Sequence, residues 1–211
     1  MKALLLALAI CISTALSAQV YTRNYEVKSS DKRVGEVTAV KHADGDLEQY
    51  DISSDVYMTL LFKIHVSYKV QANFKDGILV SSSATVYLNE RIQDEVDVMR
   101  TGDHYTVTTN GHKTRIYGDI EYSSAKLYFS RPDEVKKVFS ETNGELKDLV
   151  KTSDGNFRLK NPEKESEVNT YKYSSDQGLH SVLIERSMFP DIKLVHVREP
   201  GEIETREKEE E

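Results

Sequence analysis

From Leu60 to Phe74 the chain alternates in polarity with a period of two. The even positions are Leu60, Phe62, Ile64, Val66, Tyr68, Val70, Ala72 and Phe74, and the odd ones, after Leu61, are Lys63, His65, Ser67, Lys69, Gln71 and Asn73. Successive side chains point to opposite faces of a strand but not of a helix, so this segment buries its even side chains only as a β-strand with one covered face. At about 3.3 Å per residue such a strand runs roughly 50 Å, against a usual length of about 17–20 Å. A strand that long must bend around whatever its apolar face covers. The segment therefore predicts a strongly curved sheet, rolled into a half-barrel or open barrel.

Loop chemistry extends this reading to the rest of the chain. Asp44-Gly45, Asp76-Gly77, Gly102-Asp103, Asn110-Gly111, Asn143-Gly144, Asp154-Gly155 and Gln177-Gly178 are the residue types that tight hairpin turns require. Between them, Val20 to Val27, Arg33 to Lys41, Leu47 to Tyr57, Leu60 to Phe74, Ile78 to Leu88, Ile92 to Met99 and Tyr105 to Thr109 read as strands. Further strands are expected at Glu145 to Lys151, Asn156 to Leu159, Glu167 to Tyr173, His180 to Arg186 and Ile192 to Val197. Helical signal is confined to Ala125-Lys126-Leu127-Tyr128-Phe129, with Ser123 or Ser124 as its cap and Pro132 as its stop. Pro132 to Phe139 also has a helical face, but the Asn143-Gly144 turn favours a strand from Lys136 to Glu141. The expected fold is all-β, a strongly curved antiparallel meander with one short helix.

The hairpin at Asp76-Gly77 poses a register problem. A two-residue loop sets Phe74 opposite Leu79 and the apolar even face beside Ser81, Ser83 and Thr85. A three-residue loop, Lys75-Asp76-Gly77, instead pairs Phe74 with Ile78, Ala72 with Val80, Tyr68 with Ala84 and Val66 with Val86. The second register keeps one continuous apolar face and is the one expected.

The first eighteen residues have the pattern of a secretory leader: Lys2, an apolar run from Ala3 to Ile12, and small residues at Ala15-Leu16-Ser17-Ala18. The apolar run is shorter than the roughly 20 residues a bilayer-spanning helix needs. Cys11 follows Leu8-Ala9-Ile10, and the bulky Ile10 suits a lipoprotein site poorly, so cleavage is expected near Ala18 with no lipid anchor. The expected product is periplasmic or secreted, without cysteine and hence without disulfides or thiolate chemistry. It divides into the leader 1–18, a single β domain over 19–197, and an acidic tail over 198–211 too poor in apolar residues to fold. Loss of Lys2 with the leader takes the formal charge from -7 to -8. Such a chain repels phosphate backbones, so nucleic acid is not an expected partner, and the mature chain carries no transmembrane segment.

Chemical motifs are sparse. The histidine pair His104 and His112 flanks Asn110-Gly111, yet a two-residue turn there places the two rings on opposite faces. No metal site or cofactor is implied. Ser123-Ser124-Ala125-Lys126 matches the Ser-x-x-Lys pattern of serine acylases, but Ser175-Asp176 is followed by Gln177 and Lys113-Thr114 by Arg115, so the companion motifs are missing. Asp94, Glu95 and Asp97 are close in sequence and supply the carboxylates of a glycosidase-like pair or, equally, a solvated strand face.

Arg33-Val34-Gly35-Glu36-Val37, Phe74 to Ser83, and above all Tyr122-Ser123-Ser124-Ala125-Lys126-Leu127-Tyr128-Phe129, followed by Arg131-Pro132 and Val138-Phe139-Ser140-Glu141, resemble an uncharacterised secreted family. That family is a domain of unknown function from Bacteroidota-type Gram-negative bacteria, and the resemblance brings no activity or catalytic residue with it. By fold analogy the chain also looks like the open half-barrels of periplasmic lipoprotein carriers. The concave face is then expected to be lined by Phe62, Ile64, Val66, Tyr68, Val70, Ile78, Val80 and Val86, with Leu127, Tyr128 or Phe129 plugging it. Phe62, Ile64, Val66, Tyr68, Val70, Val80, Val86, Tyr128 and Phe129 are the candidate ligand-binding residues. Three functions stay open on the residues alone: non-enzymatic binding of an apolar or lipid-like ligand or an envelope partner, hydrolysis of envelope glycan or peptide by paired carboxylates, and a purely structural envelope role.

Overall fold

The structure is a computed structural model that describes residues 18–59, 62–161, 164–175, 178–186 and 190–197. The expected leader up to Ser17, Leu60 and Leu61, and the acidic tail 198–211 lie outside the described residues. Fourteen strands follow in order: β1 (Gln19–Ser29), β2 (Lys32–Asp44), β3 (Leu47–Thr59), β4 (Lys63–Lys75), β5 (Ile78–Leu88), β6 (Arg91–Thr101), β7 (His104–Thr109), β8 (His112–Tyr117), β9 (Lys137–Ser140), β10 (Glu145–Lys151), β11 (Phe157–Asn161), β12 (Lys164–Tyr173), β13 (Leu179–Glu185) and β14 (Ile192–Val197). The only helical element among the described residues is a single 3₁₀ turn, Lys126–Tyr128. Its N-cap is Ala125, with no side-chain capping bond, so neither Ser123 nor Ser124 caps it as expected. No described helix is long and apolar enough to cross a membrane.

All fourteen strands belong to one antiparallel sheet ordered β8-β7-β6-β5-β4-β3-β2-β1-β14-β13-β12-β11-β10-β9. The expected single meander is two meanders, β1 to β8 and β9 to β14, joined where β1 pairs with β14. The alternation of the sequence explains the burial. In β3, Tyr50, Ile52, Ser54 and Val56 face inward and are buried, while Ser53, Asp55 and Tyr57 are exposed. The sheet does not close, because β8 and β9 are its two edges. Instead the turn after β9 tucks against the inner side of the opposite edge. A Cβ at Gly144 would lie 2.8 Å from Val107 Cγ1 and 2.8 Å from Thr109 Oγ1, and 3.2 Å from Val96 Cγ1.

Since β8 and β9 lie at opposite edges, the segment that connects them has to cross the roll. It does so as a plug over Gly118 to Lys136, with Ile120, Ser123, Ala125 and Leu127 buried. The plug runs beside β9, through a parallel bridge between Ser123 and Phe139 and bonds from Phe139 N to Tyr122 O (3.0 Å) and Ser124 N to Phe139 O (2.8 Å). Lys126 ties it to the β4–β5 turn. Its ammonium donates to the carbonyls of Gly77 (3.2 Å) and Glu121 (3.0 Å), lies over the Phe74 ring at 3.8 Å and faces Glu48 at 3.7 Å. The Ser-x-x-Lys pattern thus marks a structural lysine, as its amine is occupied and Ser123 is shut off from solvent.

The β4–β5 register departs from the expected one. The loop has two residues, Asp76 and Gly77, both at positive φ (52° and 78°), and Phe74 pairs directly with Leu79. The polarity conflict is resolved by a bulge. Asn73 pairs with Ser81, so Val80 is the extra residue on its strand, and beyond it Ala72, Val70, Tyr68 and Val66 face Ser82, Ala84, Val86 and Leu88. Val80 is therefore on the outer side and 37% exposed, not on the concave face. Ile78 is likewise displaced, since it pairs with Lys75. Ladder pairing of β5 with β6 begins at Ser81, which leaves the backbone of Leu79 for the interior. Its N–H donates to Ile120 O at 2.9 Å and its carbonyl accepts from Tyr105 Oη at 2.9 Å.

Candidate functional site

Antiparallel alternation sends the turns to two ends of the roll. At one end lie the loops at Gly45, Asp76-Gly77, Gly102 and Gly155 together with the plug, and side chains fill the interior: Phe74, Leu79, Tyr105, Leu127, Phe139, Phe157 and Leu179 are all fully buried. At the other end lie the turns at Ser30-Asp31, Asn89-Glu90, Asn110-Gly111 and Asn143-Gly144. Asn89 secures part of this rim by bonding both backbone groups of His65, its N–H donating to the carbonyl at 2.8 Å and its Oδ1 accepting from the N–H at 2.9 Å. Behind the rim the interior is not filled.

The unfilled space is a cavity of about 910 Å³. Its walls come from both meanders: Ile52, Val56 and Met58 of β3, Ile64, Val66 and Val70 of β4, and Val86 and Leu88 of β5 face Leu159, Val182, Ile184, Ile192 and Leu194 of β11, β13 and β14. The volume lies near the top of the range of about 300–1,000 Å³ that small-molecule sites span. The floor is polar and tyrosine-rich. Tyr68 and Tyr128 share a hydrogen bond between their hydroxyls at 3.2 Å, Tyr25 packs edge-on to Tyr128 with centroids 5.4 Å apart, and Tyr171 and Ser124 complete the floor. Burial pushes the phenols of Tyr68 and Tyr128 up, and that of Tyr171 up to about 12, so all three are neutral donors at ordinary pH.

Of the nine residues expected to bind a ligand, Phe62, Ile64, Val66, Tyr68, Val70, Val86 and Tyr128 lie on this cavity. Val80 does not, because the bulge turns it outward, and Phe129 does not, because its ring packs on Tyr50 with centroids 5.6 Å apart. Phe62 sits in the bend before β4, 64% exposed at the rim, and not within the strand as expected.

Beneath the floor is a fully buried carboxyl, Glu141. Ser124 Oγ hydrogen-bonds its Oε2, and Ala125 N–H donates to its Oε1 at 3.4 Å. Burial raises its pKa, while the surrounding donors pull it back. No second carboxylate opposes it on the cavity, whose described lining contains none. Asp94 is held by Asn110 Nδ2 at 2.9 Å at the rim, and Glu95 and Asp97 are exposed on the outer face of β6. The described residues bring together no group of three or more metal-ligand side chains, and His104 and His112 stand at opposite ends of the β7–β8 hairpin.

The side chains on the described cavity wall that carry a formal charge are Lys147 and Arg186. Sequence reasoning missed both. Lys147 lies near the start of β10, where no clean alternation marks an inward face. Arg186 had a readable signal, since Val182, Ile184 and Arg186 share one face and a cation closes an apolar series at the strand end. Lys147 Nζ donates to Asn143 Oδ1 at 2.7 Å and faces Glu145 at 3.7 Å, and Arg186 Nη1 donates to Asn169 Oδ1 at 3.0 Å.

An open, rolled antiparallel sheet with a plug at one end and a cavity at the other defines a barrel-like β protein. The chain belongs to the DUF6134 family, a domain of unknown function, whose model matches residues 25–188. It is similar in structure to a beta-barrel-like protein of domain of unknown function DUF1849 from Brucella abortus, with a TM-score of 0.55 and 7% identity over 84% of this chain and 95% of that one. At that identity the likeness is one of fold. No curated protein sequence matches the chain.

Proposed function

We propose that this is a non-enzymatic binding protein of the cell envelope that takes an apolar or lipid-like ligand into the cavity of its rolled sheet. The observation that carries the reading is the cavity itself: about 910 Å³, walled by aliphatic side chains from both meanders and left unfilled at the rim end while the plug end is packed solid. A fold that needed only to be stable gains by filling such a space, since cavities cost stability in proportion to their volume. The expected leader at Met1 to Ala18 supports an envelope location.

Native mass spectrometry of the protein purified gently from its own host, followed by solvent extraction, tests this reading. The expected result is an added mass that extraction removes and identifies as an acyl or other apolar compound. A bare mass, together with no binding of added fatty acids or detergents by calorimetry, would overturn it.

A further inference from the structure

The cavity is not uniformly apolar. In a chain of formal charge -7, the two formally charged residues on its described wall are both cations. Arg186 follows the last residue of β13, at the rim end, and its guanidinium reaches in to Asn169; Lys147 is the third residue of β10, opposite Val138. The two are electrostatically coupled. Burial lowers the pKa of the Lys147 amine, Arg186 lowers it further, and Glu145 and Glu167 oppose that effect. Those carboxylates offset part of the positive charge, but neither lines the cavity, so a molecule entering meets the cations and not their counterions. Neutral donors accompany them. Asn143 Oδ1 accepts from Ser140 Oγ at 2.8 Å and from Lys147, which commits the oxygen end of that amide and leaves its N–H₂ group for another acceptor. Asn143 and Asn169 both line the cavity beside their cationic partners.

We propose that the occupant is an amphiphile with an anionic oxygen head group, a carboxylate or a phosphate, held by Lys147 and Arg186 with its hydrocarbon tail along the aliphatic wall. This rests on the binding function proposed above and adds the chemistry of the ligand and the side chains that hold its head group. Guanidinium and ammonium donors fit such oxygens, the guanidinium by a planar fork and the ammonium as a point charge. The tail then lies among Ile64, Val66, Ile184 and Leu194, where no polar group needs a partner.

The test is calorimetry of the purified protein with four C16 probes: palmitate, hexadecyl phosphate, methyl palmitate and hexadecyltrimethylammonium. Palmitate and hexadecyl phosphate are expected to bind about ten-fold or more tightly than the ester, the difference expected of charge-assisted bonds to a head group. In a Lys147→Met/Arg186→Met variant that preference is expected to fall to about two-fold or less while methyl palmitate affinity is retained, which also shows the variant to be folded. Equal binding of acid and ester by the wild type, or tighter binding of the cationic probe, overturns the head-group inference and leaves the binding function standing. Binding of none of the four removes the binding function as well. Should the variant not fold, the wild-type comparison of acid, phosphate, ester and cation decides alone. A preference of palmitate over hexadecyl phosphate, or the reverse, identifies which anionic oxygen group the site takes.

Discussion

The hydroxyls of Tyr68 and Tyr128 meet at 3.2 Å across the cavity floor, one carried by β4 and the other by the plug. The bond joins two parts of the chain that no ladder connects, and both phenols are buried enough to stay protonated. Tyr128→Phe is expected to cost about 1 kcal/mol of unfolding free energy in urea, the usual net worth of a partly buried hydrogen bond. Tyr68→Phe should cost a similar amount, and the double variant clearly less than the sum, since each change breaks the same bond. Full additivity would show that the two hydroxyls do not interact.

Glu141 gives a pH prediction. Its carboxyl is pushed above the ordinary value of 4.5 by burial, so the native state holds this proton more tightly than the unfolded chain does. The stabilising proton is present in full at acid pH and is lost as pH rises from 4.5 through the folded-state value, beyond which the slope vanishes. Glu141→Gln cannot lose a proton. Urea unfolding from pH 4 to 8 is expected to show the wild type losing stability over this window relative to the variant. Parallel profiles for the two proteins would refute a raised carboxyl.

The bulge at Val80 can be tested without a structure. Leu79 faces the packed end and is fully buried, whereas Val80 is outside. Leu79→Ala is expected to cost about 2–5 kcal/mol and Val80→Ser no more than about 0.5 kcal/mol. The three-residue loop expected from the sequence would reverse that order.

Gly144 and Gly111 form a matched pair, both at positive φ (70° and 83°). Nothing lies within 4 Å of a Cβ at Gly111, while at Gly144 the Cβ would press on Val107 and Thr109 at 2.8 Å. Gly111→Ala should cost about 1–2 kcal/mol for the left-handed backbone alone. Gly144→Ala should cost a further ~1–3 kcal/mol from overpacking where the two sheet edges overlap. Equal losses in thermal unfolding would mean that the edges do not touch there.

Much of this architecture was legible in the sequence because its rules are local. Alternation in Leu60 to Phe74 identified the inward face of β4, and the Asp-Gly and Asn-Gly pairs located hairpins at Asp76-Gly77 and Asn110-Gly111. What stayed hidden was non-local. Val80 reads as an inward residue until a bulge shifts its phase, and a bulge leaves no more trace in composition than one extra residue. The crossover was hidden for a similar reason: Ala125 to Phe129 reads as a short helix, and nothing in those residues says that the strands on either side of it lie at opposite edges. Lys147 and Arg186 are 39 positions apart and became neighbours in one cavity only through that topology.

The β1–β14 ladder sets a schedule for folding. Each meander can assemble by successive hairpins, but Asn24 must wait for Val197, the last described residue, before its strand gains a second neighbour. Joining ends so far apart has a high loop-closure cost and is slow relative to hairpin formation. Until it happens, β1 is an unpaired edge on a finished eight-stranded sheet, the kind of surface that recruits strands from other chains. A chain made from its N-terminus onward therefore keeps that edge open until β14 has been synthesised, and its yield depends on what shields β1 during that interval.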